Sequence, residues 1–528
     1  MEAPMKKKQE SMQGSMGRTS KFSESLHGST ESTPKGIPKA LSVVAKAHPR
    51  RRKLPKKLIW ISLVSGLLSM QYGYNIWIVY SPTLLLQDYY NISNDDMADV
   101  DTQMFMMAIT ISLFPLGAIF GALVFGCFVD RFGRKGTLLI TNILSIISAM
   151  FMGLSNKVRP IEFTMFARLY TGICTGLIST VIPLYLCEIS ETNMRGSITM
   201  LHHLFLILGV LVARILALRE LLGTAKGWPI LMSLGGIMPL IQVALLPLLP
   251  ESPRYLMIQK KEEEDAVEVL KELRETEDVE DEIEELRQES TFEKGEKKTN
   301  TLKLLLRTQS LRWQVLTIFV LMLGQQLTGT NAAYYFTERT YLSTNVEKDK
   351  VRFISITTDA LLCCSITLGI YLVDSVGRRI LLLVGLGICS VTCILITITF
   401  KLQDIFPLAS YFSSVLDDVF LIGHAFGPNP LPPLIIAELF LQSSRSSAFV
   451  IAGVLQWFFH FLTGVTFLRI EALLGSFVFL LFFPLCLATF YYILRFLPET
   501  KNKTFLDIRK HMKIQTKKKS KVKIHVEK

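Results

Sequence analysis

The sequence predicts an all-α polytopic membrane protein with twelve transmembrane helices in two pseudo-symmetric six-helix halves. Three observations carry this expectation. Half of the 528 residues are hydrophobic, the mean hydropathy is +0.37, and the apolar residues gather in blocks of about 20, the length that crosses a bilayer as a helix. The blocks fall near 59–82, 104–129, 137–155, 163–187, 197–218, 228–249, 313–337, 352–373, 379–400, 409–439, 447–468 and 471–496, six on either side of a charged stretch at 251–311. Short charged motifs also recur at matching places about 250 residues apart, the mark of an internal duplication.

In chain order, residues 1–57 read as a disordered basic tail, rich in Ser, Lys, Gly and Pro, with 14 Lys+Arg against 4 Asp+Glu. No cleavable signal peptide pattern is visible in it. Its last residues, Pro49 to Lys57, include six Lys or Arg directly before the first apolar block, and the positive-inside rule places them in the cytoplasm. The first six-helix half is expected over 58–250. Its first span ends in Gln71-Tyr72-Gly73-Tyr74-Asn75, and the following loop holds Asn91-Ile92-Ser93, a glycosylation acceptor pattern on the side opposite the N-terminus.

The segment 251–311 carries 18 acidic and 11 basic residues, with Val267, Leu270 and Leu273 on one helical stripe. It is expected to form short cytoplasmic linker helices under the bundle. The second half is expected over 312–497. It opens with a span containing Gly324-Gln325-Gln326-Leu327-Thr328-Gly329-Thr330-Asn331 and closes before a second basic tail, 498–528, also cytoplasmic.

Amides at membrane depth cost free energy unless they find a partner or face a wet cavity. Gln325, Gln326 and Asn331 therefore read as the polar lining of a pathway, with Gly324 and Gly329 allowing the helix to bend or break beside it. The alternative reading is that the amides only join helices.

The charged repeats suggest a gate. Asp130, Arg131 and Arg134 after the second span match Asp374, Arg378 and Arg379 after the eighth. Glu188 and Arg195 match Glu438 and Arg445, and Glu251 with Arg254 matches Glu499. Opposite charges at the inner helix ends are expected to pair and hold the halves together, and to part when the cavity opens inward.

Other function classes find no support. The eight cysteines are scattered without metal-ligand spacing, and no phosphate loop or nucleophile arrangement appears, so no enzyme activity, metal or cofactor is expected. The basic excess sits in the tails and suits anionic lipid headgroups of the bilayer better than nucleic acid.

Taken in order, Asp130-Arg131-Phe132-Gly133-Arg134-Lys135, Pro250-Glu251-Ser252-Pro253-Arg254, Gly324-Gln325-Gln326-Leu327, Gly377-Arg378-Arg379 and Pro498-Glu499-Thr500-Lys501 resemble the sugar-porter branch of the major facilitator superfamily. Ile422-Gly423-His424-Ala425 and the segment Glu438 to Arg445 are similar to those of class II, fructose-transporter-like facilitative hexose transporters. The resemblance implies the major facilitator fold, a central sugar site and a plasma-membrane location. It implies that Gln325, Gln326 and Asn331 bond sugar hydroxyls, that Tyr334 closes the outer side, and that His424 and Trp457 line the second-half wall. His203 and Tyr74 join the implied site from the first half. Asn75 stands where proton-coupled relatives carry Asp, which implies uniport, since an amide does not titrate.

Departures from the family pattern are His203, Arg214, Leu362 and His460, together with the acids Asp359, Asp417 and Asp418 inside spans. Arg214 and Asp359 are expected to be able to pair across the halves. The leading expectation is uniport of a hexose, fructose foremost. Alternatives are transport of urate or another small polar solute, and a non-transporting sensor or scaffold.

Overall fold

A computed structural model describes residues 55–78, 100–155, 160–224, 226–294, 311–330, 333–334, 348–402, 405–406 and 409–508. Everything described belongs to one compact unit, Lys53–Lys528. Asn91 and Asn331 lie outside the described residues.

The first half comprises α1 (Lys56–Trp77), α2 (Val100–Leu154), α3 (Pro160–Ile189), α4 (Arg195–Leu216) and the short pair α5 (Trp228–Ser233) and α6 (Ile237–Leu245). Two amphipathic linker helices follow, α7 (Glu263–Arg274) and α8 (Glu280–Lys294). The second half comprises α9 (Arg312–Gln326), α10 (Lys348–Val376), α11 (Arg378–Leu402), α12 (Ala409–Phe426), α13 (Leu431–Leu439), α14 (Gln442–Leu474) and α15 (Val478–Phe496). Helices fall on all twelve expected spans. Among the described residues, nine helical segments are long and apolar enough to cross a membrane.

Four spans differ in detail from the sequence reading. α2 covers two of them and breaks at Gly133, whose φ of 75° and ψ of −170° leave the helix. The tenth divides into α12 and α13 around Gly427-Pro428-Asn429-Pro430, because proline lacks the donor and clashes with the preceding turn. The seventh ends at Gln326, and the chain turns at Gly329 with φ 100°. Gly324 does not break the helix as expected. It lies inside α9 against Thr489 of α15, where an added Cβ would meet the Thr489 side chain at 2.5 Å.

The linker helices bury the stripe that the spacing predicts. Ala266, Leu270 and Leu273 of α7 and Ile283 and Leu286 of α8 are buried, while Val267 is half-buried. Lys57 at the start of α1 pairs with Glu272, and Arg274 donates to the Ile189 carbonyl at the end of α3 (2.9 Å). These contacts fix one end of the bundle, called here the linker end; the opposite end is the far end. The halves meet mainly where α14 lies along α2 and α10 along α4.

Outward-facing apolar residues such as Phe120, Leu240, Leu368 and Leu487 are exposed. A helix surface of this kind suits lipid, whereas the inward faces carry the polar groups.

Candidate functional site

At the linker end the duplicated motifs fold alike. Glu251 accepts the backbone N–H of Arg134 (3.0 Å) and of Lys135 (3.1 Å), and Glu499 accepts those of Arg378 (3.0 Å) and Arg379 (3.1 Å). Each carboxylate thus caps the first turn of a helix whose N–H groups have no partner of their own. The preceding glycines, Gly133 and Gly377, take φ values of 75° and 108°, and a Cβ on either would strike the same glutamate, at 2.5 Å and 2.8 Å. Left-handed backbone and close approach both demand glycine there. Burial pushes the Glu251 carboxyl above its ordinary value against the pull of the Ser252 and Arg134 N–H groups.

Side chains complete the repeat. Arg134 donates to both oxygens of Glu188, at 2.7 and 2.8 Å, within a fully buried pair. Arg378 pairs with Asp374 (2.9 Å) and Glu438 (3.3 Å). Several bonds then cross between halves. Arg445 of α14 reaches Glu188 of α3 at 3.3 Å. Asp374 of α10 accepts from the Ser197 N–H and hydroxyl at the start of α4, at 2.8 and 2.5 Å.

The linker takes part as well. Glu289 of α8 binds Arg254 and lies 3.7 Å from Arg445. Burial alone would lower the Arg254 guanidinium, but Glu289 and Glu285 outweigh it and hold it above its ordinary value.

Other charges named from the sequence are placed differently. Arg195 is buried and stands over the Phe505 ring at 4.3 Å, with Arg254 and Arg445 over the same ring at 4.5 and 4.3 Å. Arg131 is exposed over Phe132. Arg379 donates its side chain to the Leu494 carbonyl, and Asp130 lies half-buried at the end of the first stretch of α2. Phe505, 2 % exposed, had no sequence signal beyond being an aromatic residue in a basic tail.

Between the halves, toward the middle of the bundle, lies a cavity lined by residues of both halves. The two walls differ. α1 and α4 give it Tyr72, Ile76, Trp77, Leu206, Ile207 and Val210, mostly apolar. The second half gives it Gln325, Gln326, Thr330 and Tyr334, then His424, Asn429, Gln456 and His460. Amides, imidazoles and hydroxyls both donate and accept, so one wall suits hydroxyl groups and the other an apolar surface.

The break in α9 positions the amides. Gln325 donates its Nε2 to the Asn429 carbonyl at 2.7 Å, while His424 Nε2 lies 2.9 Å from the Gln325 carbonyl oxygen. Gln325 is 3 % exposed, and its Oε1 has no hydrogen-bond partner among the described residues. A buried acceptor left unpaired costs about 1–3 kcal/mol, which a ligand donor would recover. Gln326 Oε1 lies 3.4 Å from His460 Nδ1. The Asn429 side chain reaches across to His203 Nε2 at 3.0 Å, joining the halves below the cavity.

The structure brings Gln325, Gln326, Tyr334 and His424 together at the cavity. His203 reaches it only through Asn429 and lines a smaller adjoining pocket. Trp457 stands behind the wall: it packs on Tyr72 and His460 at ring-centre distances of 5.7 and 5.6 Å and donates to Ser179. Tyr74 points away, its hydroxyl donating to the Leu231 carbonyl at 2.6 Å. Asn429, Gln456, Thr330 and Trp77 line the cavity without having been selected from the sequence. Asn429 sits between two prolines in a motif that could have flagged it. Leu362 is 1 % exposed in the apolar core.

Two helical halves, a polar cavity between them and ion pairs across their contact define a membrane solute carrier. The chain belongs to the sugar transporter family: the family model described as "Sugar (and other) transporter" matches residues 61–511. It is 43 % identical over 445 residues to solute carrier family 2, facilitated glucose transporter member 5 of Pongo abelii and of Homo sapiens, covering 83 % of this chain and 88 % of each relative. Member 7 of Mus musculus is 39 % identical over 443 residues, covering 83 % of this chain and 86 % of the relative. Among solved structures, the major facilitator superfamily proton:xylose symporter XylE bound to 6-bromo-6-deoxy-D-glucose superposes with a TM-score of 0.77. At 19 % identity, it covers 87 % of this chain and all of the other. That likeness establishes the major facilitator fold. The chain is a carrier and not an enzyme.

Proposed function

We propose that the protein carries a hexose, fructose foremost, down its gradient by alternating access. The observation that carries this reading is the buried Oε1 of Gln325, without a partner among the described residues, on the polar wall of the cavity. A sugar presents hydroxyls to that wall and its less polar ring face to Ile76, Ile207 and Val210. With the linker end in the cytoplasm, sugar enters from the far end and binds between the halves. The ion pairs at the linker end then release it to the inside. Asn75 supports uniport, since its side-chain amide binds no proton near neutral pH. A plasma-membrane location is part of the same proposal.

A neutral substrate is favoured over urate. The described residues lining the cavity include no Lys, Arg, Asp or Glu, and Arg214 is turned to an acid outside it. The test is uptake of labelled fructose, glucose and urate by the purified protein in liposomes. Fructose uptake above that of empty liposomes is the expected result. Uptake of urate alone would reject the neutral-substrate reading.

The link between His203 and Asn429 should tune affinity. Asn429→Ala removes this bond across the halves, together with a longer 3.4 Å contact from Gln325 Nε2 to the Asn429 side chain, but keeps the backbone carbonyl that Gln325 uses. The loss of one hydrogen bond, about 0.5–1.5 kcal/mol, should change the half-saturation concentration for uptake severalfold. An unchanged value would make the contact incidental.

A further inference from the structure

A second ion pair between the halves lies on the other side of the cavity from the linker-end network. Arg214, near the far end of α4, places its Nε 3.1 Å from Asp359 Oδ2 of α10, with side-chain exposures of 10 % and 0 %. Its Nη1 donates to the Ser355 carbonyl at 3.0 Å. The same guanidinium lies 4.4 Å above the Trp77 ring. Trp77 in turn meets Tyr334 edge-on, at a ring-centre distance of 5.2 Å. Trp77 and Arg214 belong to the first half; Tyr334, Ser355 and Asp359 belong to the second. Both aromatic rings line the cavity, whereas the ion pair does not.

We propose that Arg214 and Asp359 form a far-end latch, in which Arg214 positions Trp77 against Tyr334 across the cavity mouth and the pair must part each time the site opens to that side. The physical reason is the placement of the charges. Neither has a second ion-pair partner among the described residues, and a buried charge separated from its partner is strongly disfavoured unless water reaches it. Closure on the far side is therefore favoured by an electrostatic contact as well as by the meeting of two rings. Opening exposes Arg214 and Asp359 to water at the moment substrate gains access. Arg214 thus acts on substrate through Trp77 and is a positioning residue. The inference rests on the alternating-access reading but not on which solute is carried.

The test uses the full chain with Ile76→Cys as a reporter on the cavity wall, in sealed vesicles of known orientation. Labelling by a membrane-impermeant maleimide is read from each side and corrected for the parent chain's own cysteines. Arg214→Gln and Asp359→Asn should each speed labelling from the far side by about tenfold, the scale of a typical conformational coupling, and slow it from the linker side. The Arg214→Gln/Asp359→Asn double variant should label no faster than either single one, because the two groups act as one contact. Unchanged far-side labelling in both single variants would overturn the latch. So would faster labelling from both sides, which marks general loosening, or multiplied effects in the double variant. If Asp359→Asn does not reach the membrane, Arg214→Gln decides alone. Labelling needs no substrate, so its outcome is separate from that of the uptake experiment.

Discussion

Glu188→Ala should open the linker end and destabilise the protein more than any other single charge removal there. Glu188 binds an arginine from each half, Arg134 at 2.7 Å and Arg445 at 3.3 Å, and it also accepts the Ser252 hydroxyl. Both guanidinium groups and the carboxylate are fully buried. Breaking a buried pair from one side costs about 3–5 kcal/mol, mostly because the remaining charge has no partner. Here two cations would be left facing each other. Part of that loss should appear as a lower melting temperature, and part as a shift toward the state open at the linker end. Impermeant thiol labelling of a cavity cysteine from that side, with thermal unfolding of the same sample, reads both. Glu188→Asp retains the charge and should recover part of each effect. If Glu188→Ala melts and labels like the parent, the network is not what holds this end closed.

Gln325→Ala should weaken substrate binding without loss of protein from the membrane. Two consequences follow from its contacts. The substrate loses the acceptor Oε1, and the Asn429 carbonyl loses its donor at 2.7 Å. One neutral hydrogen bond is worth about 0.5–1.5 kcal/mol and an unpaired buried acceptor about 1–3 kcal/mol. A tenfold or larger rise in half-saturation concentration is therefore expected, on the scale of roughly 1.4 kcal/mol per factor of ten. His424 reaches the Gln325 backbone rather than its side chain, so the local turn should survive the substitution. Uptake kinetics normalised to surface protein decide the matter. Unchanged kinetics would move the binding site elsewhere.

The fold was legible because its signals are long and repeated. Twelve apolar blocks set the helices, and the matching Arg, Glu and Gly positions announced a duplication. The glutamates Glu251 and Glu499 then cap equivalent helix starts in the two halves. Periodicity located these elements but not where they break. The chain bends at Gly329 and remains helical at Gly324, because packing against Thr489 rather than local conformational freedom explains the second glycine.

The site was only partly legible. Gln325 and Gln326 could be picked out because amides are costly in an apolar helix. Asn429 was missed because its meaning depends on His203, 226 residues away in sequence. Trp457 looked like a wall residue, but its indole lies behind Tyr72, a difference in depth that no spacing rule expresses. Arg195 looked like half of an ion pair and instead stacks on Phe505. A cation can be accommodated by an aromatic face as well as by a carboxylate, and sequence alone does not choose between them.

Phe505 has a bearing on how the protein is made. Its ring touches Arg195, Arg254 and Arg445, one each from the first half, the linker and the second half. A chain emerging from the ribosome folds its N-terminal parts first. All three guanidinium groups are synthesised before the ring that covers them. Arg254 and Arg445 already have their carboxylate partners by then, so what is missing until residue 505 is made is the aromatic cover over three guanidinium groups. Docking of that ring is thus a late assembly step, and a chain that stops before it would leave those three faces bare.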